Sequence, residues 1–288
     1  MDGLPLRHAV ALGAVQGPTE LLPVSSSGHL VLLPRLAGWR YSELDPELRK
    51  SFEVALHAGT AAALLIGLRH EVSEYLREFS GRNLVNLSLS FAPAALAALK
   101  YERIVERRLG EPLPVAIALF GGSVAMVIAD GRPQERERAS AGPLDAFAIG
   151  IAQACALIPG VSRNGATLTA ARLLRFRRRD ANVISRQIAL PVIVGAAALK
   201  GVRLAARRDL PAGIGRAMGA GASASFASTL VSMRLIAFLE GNRSLRPYAV
   251  YRTALASFAL LSLGGRRRRA PTGGEPAMTA QTLEPAVQ

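Results

Sequence analysis

Gln16-Gly17-Pro18-Thr19-Glu20-Leu21-Leu22-Pro23-Val24-Ser25-Ser26-Ser27-Gly28-His29-Leu30 is a polar phrase set in apolar sequence. It is written again as Gln153-Ala154-Cys155-Ala156-Leu157-Ile158-Pro159-Gly160-Val161-Ser162-Arg163-Asn164-Gly165-Ala166-Thr167-Leu168. Gln16 matches Gln153, Ser25 matches Ser162 and Gly28 matches Gly165, each 137 residues further on. Polar groups cost free energy in an apolar medium unless they are paired or lie beside water. Two matched occurrences predict one polar site built from two halves.

Each phrase also predicts a broken helix. Leu6–Val15 is apolar and helical in pattern; Gly17 and Pro18 weaken its continuation, and Pro23 removes a donor and clashes with the preceding turn. Ser25, Ser26 and Ser27 offer hydroxyls to cap a new helix from near Gly28. In the second copy Pro159 and Gly160 make the break, and a new helix runs from about Asn164 to Arg175. Irregular backbone at membrane depth survives only when buried in protein or lining a water-filled cavity. Two helix N-termini aimed at one cavity make an anion site.

The surrounding composition is that of a membrane protein. The chain has 288 residues, is 50% hydrophobic, and has a mean hydropathy of +0.25. Its apolar residues gather in blocks at Val54–Leu68, Leu84–Leu99, Leu113–Ala129, Leu144–Ile158, Val183–Leu199, Ala217–Leu239 and Tyr248–Leu263. Most approach the roughly 20 residues a helix needs to cross the hydrocarbon core. A soluble helical bundle is disfavoured, because its helices carry a charged outer face and Leu113–Ala129 carries no charge. The net charge of +14 would suggest nucleic acid in a soluble protein. Here the basic residues fall between apolar blocks, at 35–50, 100–108, 132–138, 172–179 and 203–208, as loops at a membrane surface do. No nucleic-acid partner is expected; membrane lipids are. Arg266–Arg269 favours a cytoplasmic C-terminus. The single cysteine, Cys155, excludes an intramolecular disulfide, and no cleavable signal peptide is evident.

The fold expected is all-α: a polytopic membrane protein of two internal repeats, taken as inverted, with broken or re-entrant helices. Residues 1–263 form one membrane domain, with repeat one over about 5–130 and repeat two over about 143–263. The repeat extends to Ala55–Leu64 and Ala189–Leu199, at an offset of about 135. Residues 264–288, rich in Arg, Pro, Gly and Thr, read as a disordered basic tail. A homodimer is compatible with this architecture.

Glu20, Ser26, His29 and Arg163 are the residues whose chemistry stands out. Arg163 can clamp phosphate oxygens bidentately. Ser25 and Ser26 are candidate nucleophiles that need a base or a metal. Glu20 can accept that proton or bind a divalent cation, and His29 can relay a proton to the leaving oxygen. Each has a plainer role: the serines as helix caps, His29 as a structural hydrogen-bonder, Arg163 reaching for headgroups. Glu20 is the hardest to explain away, since an intramembrane carboxylate is functional by default.

QGPTELLPVSSSGHL resembles the first signature of bacterial undecaprenyl-diphosphate phosphatases, Glu/Gln-x-x-x-Glu followed by Pro-Val-Ser-Ser. PGVSRNGAT resembles their second, Pro-Gly-x-Ser-Arg-Ser-x-x-Thr, and Phe52-Glu53-Val54 and Tyr251-Arg252 add to the likeness, which covers most of residues 5–263. This is the integral-membrane, bacitracin-resistance type, not the acid-phosphatase-like lipid phosphatases. The resemblance implies hydrolysis of a polyprenyl diphosphate lipid, undecaprenyl diphosphate, to the monophosphate and inorganic phosphate, which recycles the carrier of cell-wall synthesis. It implies the bacterial inner membrane, a site facing the periplasm, and a need for Mg²⁺ or Ca²⁺. Carried over, Gln16 and Glu20 fill the first pair, with Glu20 the metal ligand. Ser26 takes the nucleophile position and His29 that of the motif histidine. Ser162, Arg163 and Thr167 fill the second signature, and Gln16, Ser25, Ser27, Ser162, Asn164 and Thr167 would line the substrate site. Gln16 is the amide variant, so metal or base work falls on Glu20. Asn164 replaces a serine and cannot be a nucleophile. Direct attack by water, with Ser26 only positioning phosphate, fits the sequence equally. A lipid-carrier flippase is the alternative of another class, because repeats with broken helices also build transporters.

Overall fold

The computed structural model describes residues 4–77, 79–206, 214–239 and 244–269. They form eleven α-helices and no strand: α1 (Leu6–Leu21), α2 (Ser26–Leu36), α3 (Pro46–Gly67), α4 (Arg69–Arg77), α5 (Gly81–Leu109), α6 (Pro112–Asp130), α7 (Pro143–Cys155), α8 (Arg163–Leu173), α9 (Arg178–Ala205), α10 (Ile214–Leu239) and α11 (Arg246–Arg269). Local chemistry sets the helix starts. Asp45 caps α3 by accepting from Glu47 N at 2.9 Å and Leu48 N at 3.1 Å, with Pro46 in the first turn. Pro112 and Pro143 likewise open α6 and α7.

Among the described residues three helices, α5, α6 and the Arg178–Leu199 part of α9, are long and apolar enough to cross a membrane. α3 and α4 make a fourth span if taken together, bent by 65° between them. The outward faces fit lipid: Leu99 on α5, Ile117 and Ile128 on α6, and Val250 and Leu261 on α11 are exposed. The chain is a multi-pass membrane protein.

α1–α2 and α7–α8 are hairpins too short to be pairs of spans. α2 and α8 have 11 residues each; at about 1.5 Å per residue they rise about 16 Å, half of a core of about 30 Å. Both hairpins return to the side they start from. His8, near the start of α1, stacks on Trp39, just past α2, with ring centroids 4.1 Å apart. Arg136 ties the start of α7 to the end of α8, donating to Asp145 Oδ1 at 2.8 Å and Leu174 O at 3.3 Å. The expected broken segments are therefore re-entrant.

α10 holds the first hairpin in place. Gly13 and Gly17 of α1 and Gly59 of α3 let three backbones meet: an ideal Cβ at Gly13 would lie 2.3 Å from Gly221 O, and one at Gly59 2.2 Å from Ala222 O. Small residues and hydroxyls are the usual means of packing helices in lipid. Thr60 and Ser225 hydroxyls meet at 2.9 Å, and Ser228 donates to Gly13 O at 3.0 Å. The packing is reciprocal: α1 lies on α10 and α7 on α5, while α3 meets α9 and α6 meets α11.

Five boundaries differ from expectation. α1 runs to Leu21 straight through Pro18, because Gly17 is closed in by α10 and Leu22 N still reaches Pro18 O at 2.9 Å. α2 and α8 begin at Ser26 and Arg163, one or two residues early, because Ser25 and Ser162 are the caps. Residues 100–108 are helix, not loop: α5 extends to Leu109 with Arg107 and Arg108 in its last turn, where cations suit the helix dipole. α11 continues to Arg269, six residues into the expected tail; residues 270–288 lie outside the described residues, as do 207–213.

Candidate active site

The two hairpin tips meet. Each break ends in a serine of positive φ, Ser25 at 75° and Ser162 at 66°. That backbone is costly for a residue with a Cβ, and the same hydrogen bond offsets it in both copies. Ser25 Oγ accepts from Gly28 N at 3.2 Å, and Ser162 Oγ from Gly165 N at 3.1 Å. Gly160, at φ 100°, completes the second turn. Its N–H donates to Ser27 Oγ at 3.4 Å, and Asn164 Nδ2 donates to Leu21 O at 2.5 Å, which joins tip to tip.

Glu20 is the centre of the junction, with only 8% of its side chain exposed. Ser26 donates its hydroxyl to Glu20 Oε2 at 2.6 Å, and Arg163 Nη2 donates to Glu20 Oε1 at 2.5 Å. Arg163 Nη1 donates to Ala189 O at 3.0 Å, which aims the guanidinium from α8 across to α1. A serine hydroxyl bonded to a buried carboxylate is a nucleophile–base pair. The cation on the carboxylate's other oxygen is a ready phosphate clamp.

The three serines thus separate. Ser25 caps α2, Ser27 holds the opposite break, and Ser26 alone meets the carboxylate. Thr167 Oγ1 and Ser185 Oγ lie 2.6 Å apart, and Ser185 donates to Asn164 Oδ1 at 2.9 Å, so Asn164 and Thr167 brace α8 rather than face Ser26. Gln16 is buried with Nε2 3.4 Å from Glu20 Oε2, and its Oε1 meets no donor.

His29 is brought elsewhere. Its Nδ1 lies 2.7 Å from Ser25 O and its Nε2 2.7 Å from Tyr251 Oη. The carbonyl can only accept, so Nδ1 carries the proton and Tyr251 donates to Nε2. Both ring nitrogens of this buried histidine are thereby engaged away from Glu20.

Two further residues lie near the site: His57, which was not singled out from the sequence, and Arg252, which entered only through the family likeness. His57 Nε2 stands 3.7 Å from Glu20 Oε2, with Nδ1 held by Glu53 O at 2.8 Å. His57 is the sole ionisable residue of the Val54–Leu68 block, and that isolation was the available signal. Arg252, the one charged residue of Tyr248–Leu263, reaches both breaks from α11.

A family model described as bacitracin resistance protein BacA matches residues 9–258. Among curated proteins, the undecaprenyl-diphosphatase of Geobacter sulfurreducens is 37% identical over 272 residues, 90% of this chain and 98% of that protein. That of Chromohalobacter salexigens is 35% identical, covering 88% and 97% respectively. That of Burkholderia mallei is 33% identical, covering 91% and 96%.

Proposed function

The chain belongs to the bacitracin resistance protein BacA family, and from that premise we infer that it hydrolyses undecaprenyl diphosphate to undecaprenyl phosphate and inorganic phosphate. This returns the carrier lipid to cell-wall synthesis. The observation that carries the assignment to this site is the meeting of the Ser26 hydroxyl and the Arg163 guanidinium on the two oxygens of Glu20.

The terminal phosphate of the diphosphate takes the place of Glu20 on Arg163, which frees the carboxylate to act as base. Ser26 Oγ bonds to the terminal phosphorus as its proton passes to Glu20. The bridging P–O bond breaks, and its electron pair leaves with undecaprenyl phosphate, which receives the proton from Glu20. Water then attacks the phosphoserine, giving its proton to Glu20, and Ser26 departs with that proton as inorganic phosphate is released. Backbone N–H groups at the starts of α2 and α8 favour the charge that develops. Gly28 N and Gly165 N are already spent on the caps, so other first-turn donors serve.

A divalent cation fits this donor set in one way. Among the described residues no three His, Cys, Asp or Glu side chains gather as a metal cluster. One carboxylate, Glu20, and one buried, unpartnered amide oxygen, Gln16 Oε1, lie a helical turn apart. That suits an ion held chiefly by the substrate's own oxygens, as Mg²⁺ usually is, rather than a Ca²⁺ cage built by protein alone. Bound by Glu20 and Gln16, it would neutralise diphosphate charge.

The two hairpins meet only at their tips, and neither helix of one packs along a helix of the other. This supports entry from opposite membrane faces, that is, inverted repeats. The run Arg266–Arg269 supports a cytoplasmic C-terminus in the bacterial inner membrane, with the site reached from the periplasm. Phosphate release from farnesyl diphosphate in detergent tests the reading. Parent protein should release phosphate and Arg163→Ala should not; a silent parent would refute it.

A further inference from the structure

α11 carries a cation that no acid answers. Arg252 is fully buried, and among the described residues it takes part in no ion pair. Every acceptor it meets is a backbone carbonyl. Nη1 donates to Pro23 O at 3.1 Å and Val161 O at 3.2 Å. Nη2 donates to Gly160 O at 3.1 Å, Leu119 O at 3.3 Å and Val161 O at 3.3 Å. Pro23 belongs to the first break, Gly160 and Val161 to the second, and Leu119 to α6. Carbonyls in a helix break have no ladder to join, and a buried carbonyl without a donor is costly. A guanidinium spreads five donors over a rigid planar fork and so reaches carbonyls on separate segments, whereas an ammonium's three donors radiate from one point. The residue before it, Tyr251, donates to His29 beside Ser25, so one turn of α11 grips both tips.

We propose that Arg252 is a positioning residue. It fixes the two breaks at the separation at which Arg163 and Asn164 of the second reach Glu20 and Leu21 of the first. The clamp and the nucleophile then act on one phosphoryl group. The catalytic consequence rests on the function proposed above; the clasp itself does not.

Two substitutions probe the clasp from opposite sides. Arg252→Lys keeps the charge and loses the fork. Gly122→Ala keeps Arg252 and displaces it, because a Cβ there would lie 2.2 Å from Arg252 Nη2. Gly121→Ala is the control, since its Cβ would meet nothing within 4 Å. Hydrogen exchange and farnesyl diphosphate kinetics are measured on the full chain in detergent. Both probes should speed exchange in peptides covering 20–30 and 156–168, and leave α3, α5 and α9 as in the parent. They should lower kcat about 10²-fold, the usual effect of a misplacement near 1 Å, with KM within about threefold. Gly121→Ala should match the parent in both. Parental exchange at the breaks, exchange raised throughout the molecule, or unchanged kcat in Gly122→Ala overturns the proposal. Should Arg252→Lys fail to fold, Gly122→Ala still decides. A parent that releases no phosphate refutes the functional reading alone, and the exchange pattern still judges the clasp.

Discussion

Glu20→Gln keeps the shape of the side chain and removes its charge, and it should move two quantities in opposite directions. The first is turnover. Ser26 would lose the acceptor of its proton, now 2.6 Å away. Loss of a general base costs about 10²–10⁴ in rate, or about 3–5 kcal/mol in the barrier. The second is phosphate affinity. Arg163 now spends Nη2 on Glu20 at 2.5 Å, and phosphate must displace that bond. Charge-assisted hydrogen bonds contribute about 1.5–3 kcal/mol. Arg163 is 17% exposed and keeps its bond to Ala189 O, so the lower end applies, roughly tenfold in affinity. The assay is phosphate release from farnesyl diphosphate in detergent, with inorganic phosphate as inhibitor. The variant should lose at least about 10² in kcat and bind phosphate about tenfold more tightly. A kcat within about threefold of the parent, or weakened phosphate inhibition, would refute the shared role of Glu20 as base and as counter-ion.

Other perturbations separate structure from chemistry. Ser162→Ala should cost about 1–2 kcal/mol in thermal unfolding, while Ser162→Gly should cost less, because glycine tolerates φ 66° without the cap. Gly17→Ala would place a Cβ 2.4 Å from Thr229 N. Size-exclusion chromatography should show the loss of folded protein, since the backbones of α1 and α10 must separate. EDTA should abolish phosphate release and Mg²⁺ should restore it more fully than Ca²⁺, as expected of an ion held by one carboxylate and the substrate.

The parts of the fold written as pattern were legible in the sequence. Seven apolar blocks each became a helix, and the two matched phrases became two hairpins with the same capped turn. Glu20, Ser26 and Arg163 were legible because each is expensive where it stands. Partner choice was not. Pro18 sits inside α1 because α10 packs against the adjacent Gly17, a tertiary fact. The role of His29 depends on Tyr251, 222 residues away. Residues 100–108 read as a loop on charge alone, yet Lys50 on α3 pairs with Glu106 at 2.8 Å and the helix carries on. Arg252 was visible as a lone charge in an apolar block, but its four carbonyl acceptors lie on three other parts of the chain.

The central claim is that Ser26, activated by Glu20, breaks the phosphoanhydride. Its most direct test is the kcat of Ser26→Ala on farnesyl diphosphate, measured on protein shown to be folded. The account predicts a fall of at least about 10³-fold, to the level that binding and electrostatics sustain without a nucleophile. Turnover within a few-fold of the parent would contradict it, and would leave water as the attacking group with Ser26 beside it.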